Sequence, residues 1–241
     1  MIPKVIHYCW FSGERKPRSI QKCIDSWSRV MPDYTIKCWD HNSFDFNSVP
    51  FVRDAMAAKK YAFAADYVRL YALMTEGGIY LDSDVVVKKP FDAFLDNEFF
   101  CGTEAYMNDD KVHYRMEAAI MGAIQNHPLL KECLSFYHHN SFSAERLSKD
   151  FVMPAVISSH AERYGYRHEN EEQHLPGITV YPTSVFTNTL HPDTTNPDTI
   201  YAIHQNAGSW IDYPDRGPLF RFCRKHDLMG FYRRIEKNNM V

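Results

Sequence analysis

Apolar residues in this chain alternate between dense short runs and helical spacing, and the first such exchange fills residues 4–39. Lys4 to Phe11 is a dense apolar run closed by Ser12 and Gly13, which predicts a buried strand ending in a turn. Ile20, Cys23, Ile24, Trp27 and Met31 then recur at helical spacing, with Pro17 suited to the first turn and Pro32 to the stop. Tyr34 to Trp39 reads as a second strand. Strand, helix and strand in this order predict a βαβ unit and a parallel sheet. Such sheets bind ligands at the carboxyl ends of their strands, so the Trp10 to Gly13 turn is expected beside a ligand cleft.

Two helical segments follow between Phe51 and Thr75, the second closed by Gly77 and Gly78 at the position of a C-cap. Ile79 to Leu81 and Val85 to Val87 are apolar and rich in β-branched residues, so 76–87 reads as one interior strand. Further on, a short helix follows Phe91, a strand covers Phe99 to Thr103, and Pro128 opens a helix through Tyr137. Residues 140–163 read as largely helical and 167–174 as a loop. Ile178 to Pro182 is a short strand, 187–198 a polar surface loop, and Ile200 to His204 a last strand.

The predicted interior strand carries Asp82 and Asp84. An ionised carboxylate taken out of water costs several kcal/mol unless it is paired or bound to a cation. Residues two apart on a strand share a face, so the two side chains could converge on one hard cation, and oxygen ligands suit Mg²⁺ or Mn²⁺. The D-x-D triplet alone is weak evidence, and its plainer reading is one Asp capping a turn and the other solvated. Asp66 and Arg69 stand at i and i+3 on the second helix and share a face, as a solvated pair would. His204 ends a strand, where a third ligand could come from, although a packing histidine is the commoner case.

At 241 residues, 45% hydrophobic and 24% charged, the chain is a soluble globular type with one large α/β domain expected, which excludes disordered and collagen-like classes. No apolar run reaches the roughly 18 residues needed to span a bilayer, and the N-terminus lacks the features of a signal peptide. Six cysteines without a C-x-x-C spacing argue against zinc or a redox pair and for reduced thiols in a cytoplasmic protein. A net charge of −3 gives no reason to expect nucleic acid. Charge is uneven, however: residues 216–237 hold seven Arg or Lys against two acids, interleaved with apolar side chains. Such a helix could rest on an anionic membrane surface or, more plainly, pack on the domain with a solvated basic face.

Residues 2–13, Ala64 to Arg69 and Gly77 to Asp84 together resemble the D-x-D-containing sugar-binding glycosyltransferases of the family 32 type. That group includes bacterial capsular polysaccharide transferases and fungal initiating α-1,6-mannosyltransferases, with the clostridial glucosylating toxins more distant. His204, Ser209 and Trp210 also match the bacterial members. The resemblance implies a GT-A fold, a single Rossmann-like α/β domain over residues 1–215 with helical elaborations, and 216–241 as a C-terminal helix. It further implies a retaining hexosyl transfer from a UDP- or GDP-sugar to a glycan or lipid-linked acceptor in capsule, exopolysaccharide or lipopolysaccharide synthesis. The location would be cytoplasmic or peripheral at the inner face of a bacterial membrane.

By position, the resemblance sets Tyr8, Cys9, Trp10 and Gly13 on the nucleoside and Asp66 with Arg69 on the donor sugar. Asp84 and His204 would hold the metal, Asp82 would touch the ribose or join them as a metal ligand, and Ser209 and Trp210 would lie over the diphosphate and metal. Glu117 could stand near the reacting centre, its plainer reading being a helix surface residue. The segment Tyr181 to Asn188 ends Phe-Thr-Asn where the family often has Phe-Tyr-Pro, which puts acceptor contacts in doubt. Two other classes remain open: a haloacid-dehalogenase-like phosphatase with Asp82 as nucleophile, and a non-catalytic metal-dependent sugar-binding protein.

Overall fold

The computed structural model describes residues 1–142, 151–190, 192–193 and 195–207. Its centre is a seven-stranded sheet in the order β2-β1-β3-β6-β5-β8-β7. The strands are β1 (Val5–Cys9), β2 (Thr35–Trp39), β3 (Gly78–Leu81), β5 (Phe99–Asn108), β6 (Lys111–Ala123), β7 (Gln173–Leu175) and β8 (Ile178–Tyr181). A second sheet of three short strands has the order β4-β10-β9, with β4 at Val85–Val87, β9 at Phe186–Asn188 and β10 at Ala202–His204. The helices are α1 (Arg18–Val30), α2 (Pro50–Ala57), α3 (Tyr61–Glu76), α4 (Pro128–His139) and α5 (Met153–Ala161).

The βαβ unit forms as expected, with β1 parallel to both β2 and β3. The sheet as a whole is mixed, because β6 runs antiparallel to β3 and β5. Strand alternation explains why it is covered on both faces. Tyr80, Phe99, Cys101 and Met121 enter one core with α2 to α5, whereas Ile79, Leu81, Phe100 and Ile120 enter another with α1 and the small sheet. Helix α3 is buried almost all round, as expected of a helix pressed between a sheet and other helices. It stops at Gly77, whose φ of +66° an L side chain rarely adopts and whose N–H caps the Leu73 carbonyl.

Three expectations are corrected. Residues 76–87 are not one strand: the chain leaves the large sheet after Leu81 and turns through Asp82 to Asp84, closed by Val85 N–H to the Asp82 carbonyl at 2.9 Å. It re-enters as β4 of the small sheet, so apolar composition on both sides of the triplet reflects two sheets. Residues 187–198 are not all surface loop, since Phe186 to Asn188 is a buried strand parallel to β10. Residues 140–142 are not helical, and in the described part of 140–163 the helix is α5, followed by a single 3-10 turn.

Candidate active site

Helix α3 brings Asp66 and Arg69 to the carboxyl ends of the central strands, both buried. Arg69 Nη2 lies 3.0 Å from Asp66 Oδ1 and 3.4 Å from Asp82 Oδ1, so one guanidinium joins both carboxylates. Its Nη1 donates to the Ala118 carbonyl at 2.6 Å, and its plane sits 4.7 Å over the Tyr80 ring. Asp66 Oδ2 accepts the Met153 N–H at the start of α5 at 3.3 Å. Burial raises the Asp66 carboxyl to about 7, against the opposing pull of Arg69. The pair is therefore a buried network and not a solvated helix salt bridge.

The turn after β3 gives the two D-x-D carboxylates different anchors. Asp82 still belongs to the large sheet through its N–H to the Ala119 carbonyl, and its Oδ1 accepts the Tyr80 hydroxyl at 2.9 Å. Asp84 is tied to the chain beyond β10: its carbonyl accepts the Gln205 N–H and its Oδ2 the Ala207 N–H at 2.7 Å. His204, which ends β10, approaches Asp84 Oδ1 with Nε2 at 3.5 Å and Glu117 Oε1 with Nδ1 at 3.2 Å. Burial disfavours the imidazolium, but the Asp84 and Glu117 carboxylates outweigh it and hold His204 well above its ordinary range. Burial pushes Asp84 up as well, and the facing His204 more than reverses it.

Asp82, Asp84 and His204 each offer a ligand atom, and those atoms lie within 4.8 Å of one another. Two carboxylate oxygens and an imidazole fit a hexacoordinate Mg²⁺ or Mn²⁺, which would complete its shell with water or substrate oxygens. The residues present therefore fit the expected cation. Glu117 corrects its plainer reading: it lies on strand β6, 1% exposed, and burial raises its carboxyl to about 7.

Where the resemblance sets the nucleoside, Trp10 and Cys9 are half-buried at the end of β1, and Tyr8 is buried edge-on against Trp27. The Lys16 ammonium lies 5.5 Å from both the Tyr8 and Trp10 ring centroids. Gly13 has φ +68°, a conformation an L side chain rarely adopts, and open space where a Cβ would stand. Ser209, Trp210 and the basic stretch 216–237 lie outside the described residues.

Asp66, Arg69, Asp82 and His204 share the wall of a cleft of about 350 Å³. Its far wall is the long β5–β6 hairpin, which contributes Glu104, Tyr106 and Arg115, residues that sequence reading passed over. Glu104 and Arg115 are register partners, paired at 2.5 Å, and the Arg115 guanidinium sits 4.6 Å over Tyr106. The available signal was the two-residue turn at Asp109 and Asp110, both at positive φ, between alternating segments. Tyr80, which holds both Arg69 and Asp82, was hidden as an ordinary strand aromatic.

The phosphatase alternative meets a chemical objection here. Asp82 Oδ1 is engaged by Tyr80 and Arg69, both of which lower its value as a nucleophile.

Similarity to known proteins agrees with this geometry. A family model described as capsular polysaccharide synthesis protein matches residues 1–177. An uncharacterized glycosyltransferase of Acanthamoeba polyphaga mimivirus is 24% identical, over 93% of this chain and 87% of its own length. A mannosyl phosphorylinositol ceramide synthase of Saccharomyces cerevisiae is 27% identical over 58% of this chain, which spans only 36% of that relative. Among solved structures, the PaToxG glycosyltransferase superposes with a TM-score of 0.50 at 19% identity, covering 67% of this chain and 69% of its own. With the fold that of a GT-A glycosyltransferase, the chain belongs to the capsular polysaccharide synthesis protein family and is a glycosyltransferase.

Proposed function

We propose that the protein transfers a hexose, with retention of anomeric configuration, from a UDP- or GDP-sugar to a glycan or lipid-linked saccharide in the synthesis of a surface polysaccharide. The observation that carries this reading is the convergence of Asp82, Asp84 and His204 at the edge of the cleft that also holds Asp66 and Arg69. These three residues would hold Mn²⁺ or Mg²⁺, which when bound neutralises charge on a leaving diphosphate. The family description supports the polysaccharide role, and the names of the yeast relatives support a lipid-borne acceptor.

Asp66 and Arg69 face the donor sugar in this reading, while Trp10 and Lys16 offer a ring and a positive charge to the nucleoside. Asp66 has one oxygen on Arg69 and the other on Met153 N–H, so it is poorly disposed to form a covalent sugar adduct. Front-face substitution follows: the acceptor oxygen bonds to the anomeric carbon as the bond to the diphosphate breaks. The bonding pair leaves with the diphosphate, and the acceptor proton passes to a diphosphate oxygen. The cleft wall formed by Glu104, Tyr106 and Arg115 is where the acceptor would lie.

A screen of nucleotide sugars for hydrolysis and thermal stabilisation in Mn²⁺ tests the reading. One or a few donors should respond, and Asp84→Ala should abolish the metal-dependent response. Unchanged metal-dependent binding in that variant would sink the site assignment. NMR of the first transfer product should show an α-linkage from an α-linked donor; a β-linkage would remove retention.

A further inference from the structure

We propose that Glu117 orients His204 toward the metal position, by accepting the hydrogen bond that Nδ1–H donates so that the Nε2 lone pair faces the point shared with Asp82 and Asp84. The inference rests on the metal reading above and gives Glu117 a positioning role in place of contact with the reacting atoms. It begins from an anomaly. Glu117 is a fully buried carboxylate, and among the described residues its Oε2 has no hydrogen-bond partner. Leaving such an oxygen unmet is costly to stability, so the residue is hard to explain as packing.

The fold has made a specific space for this carboxylate. A Cβ on Gly102 would stand 2.9 Å from Glu117 Oε2 and 3.0 Å from Phe186 Cβ, so only glycine leaves the notch open. The notch falls where the β5–β6 register shifts, between Cys101 and Thr103. From it Glu117 Oε1 reaches His204 Nδ1 at 3.2 Å, while Nε2 on the opposite side of the ring points to Asp84. Metal-bound histidines commonly donate their second N–H to a carboxylate or carbonyl, which fixes tautomer and ring orientation.

One neighbour opposes this arrangement. The Asn206 amide nitrogen lies 3.4 Å from the same Nδ1, and its amide oxygen accepts the Thr189 N–H at 3.2 Å, which fixes the side chain's orientation. If Asn206 donated to Nδ1, the ring proton would move to Nε2 and the imidazole could not ligate. The carboxylate is nearer and charged, so it makes the stronger bond. Glu117 and Asn206 thus compete over which nitrogen is free.

Two measurements on the full chain test the proposal. Mn²⁺ affinity by electron paramagnetic resonance should fall by about 10- to 100-fold in Glu117→Leu. It should stay within a few-fold of wild type in Glu117→Gln, which keeps an oxygen for the Nδ1 proton. Gly102→Ala, which displaces the carboxylate while retaining it, should give an intermediate loss. In the Mg²⁺-loaded wild type, ¹⁵N chemical shifts should place the His204 proton on Nδ1, a readout independent of any variant's folding. A proton on Nε2, or wild-type affinity in folded Glu117→Leu, overturns the proposal. If wild-type protein binds no Mn²⁺, the metal reading falls first and this inference with it.

Discussion

The two walls flanking the D-x-D turn are built on opposite plans. On the side proposed to face the sugar, Asp66, Arg69, Tyr80 and Asp82 form a connected network in which the guanidinium is buried. On the side proposed to face the nucleoside, Trp10 is half-buried, its indole N–H donates to the Glu14 carbonyl at 2.8 Å, and the Lys16 ammonium lies 5.5 Å from the Tyr8 and Trp10 ring centroids. A buried network is expensive to break and already has its geometry before ligand arrives. An open turn contributes little to folding and can adjust to its ligand. In the proposed reading, the first wall couples activity to stability, whereas the second separates them.

The sharpest way to break that contrast is Arg69→Met. It strands two carboxylates, so stability should fall by about 3–5 kcal/mol and the melting temperature by on the order of 10 °C, read by calorimetry. Asp66→Asn should keep the fold within about 2 kcal/mol while transfer falls by roughly 100-fold or more, read as donor turnover beside a denaturant titration. Trp10→Ala should raise KM for the donor about tenfold through lost stacking on the base, with the melting temperature nearly unchanged. Lys16→Met should raise KM a few-fold, consistent with about 0.5–1 kcal/mol for a cation near an aromatic ring. Were Trp10→Ala to destabilise the protein as much as Arg69→Met, the distinction between the walls would collapse.

Local pattern was sufficient for the parts of the fold made by local rules. The β1–α1–β2 unit follows from dense apolar runs and helical spacing, and the end of α3 from Gly77. Asp82, Asp84 and His204 were legible as candidates because ionisable residues beside apolar strands need a reason. The turn that separates Asp82 from Asp84 was not legible, since strands of two different sheets have the same composition as one long strand. Glu117 was legible only as a candidate, and its surroundings were not: they depend on a notch at Gly102 and a histidine 87 positions later. The β5–β6 hairpin extends to Asn108 because Glu104 and Tyr106 pair with Arg115 and His113, and such polar cross-strand pairs leave no apolar signature.

The turn between β3 and β4 is also a seam. Asp82 is fastened to the large sheet and Asp84 to residues that follow β10, so the ligand set spans two bodies of structure joined in sequence order only at the end. During synthesis the aspartates emerge long before their histidine. A chain lacking β10 would carry both acids with β4 deprived of that partner strand, and the proposed cation set would be one ligand short.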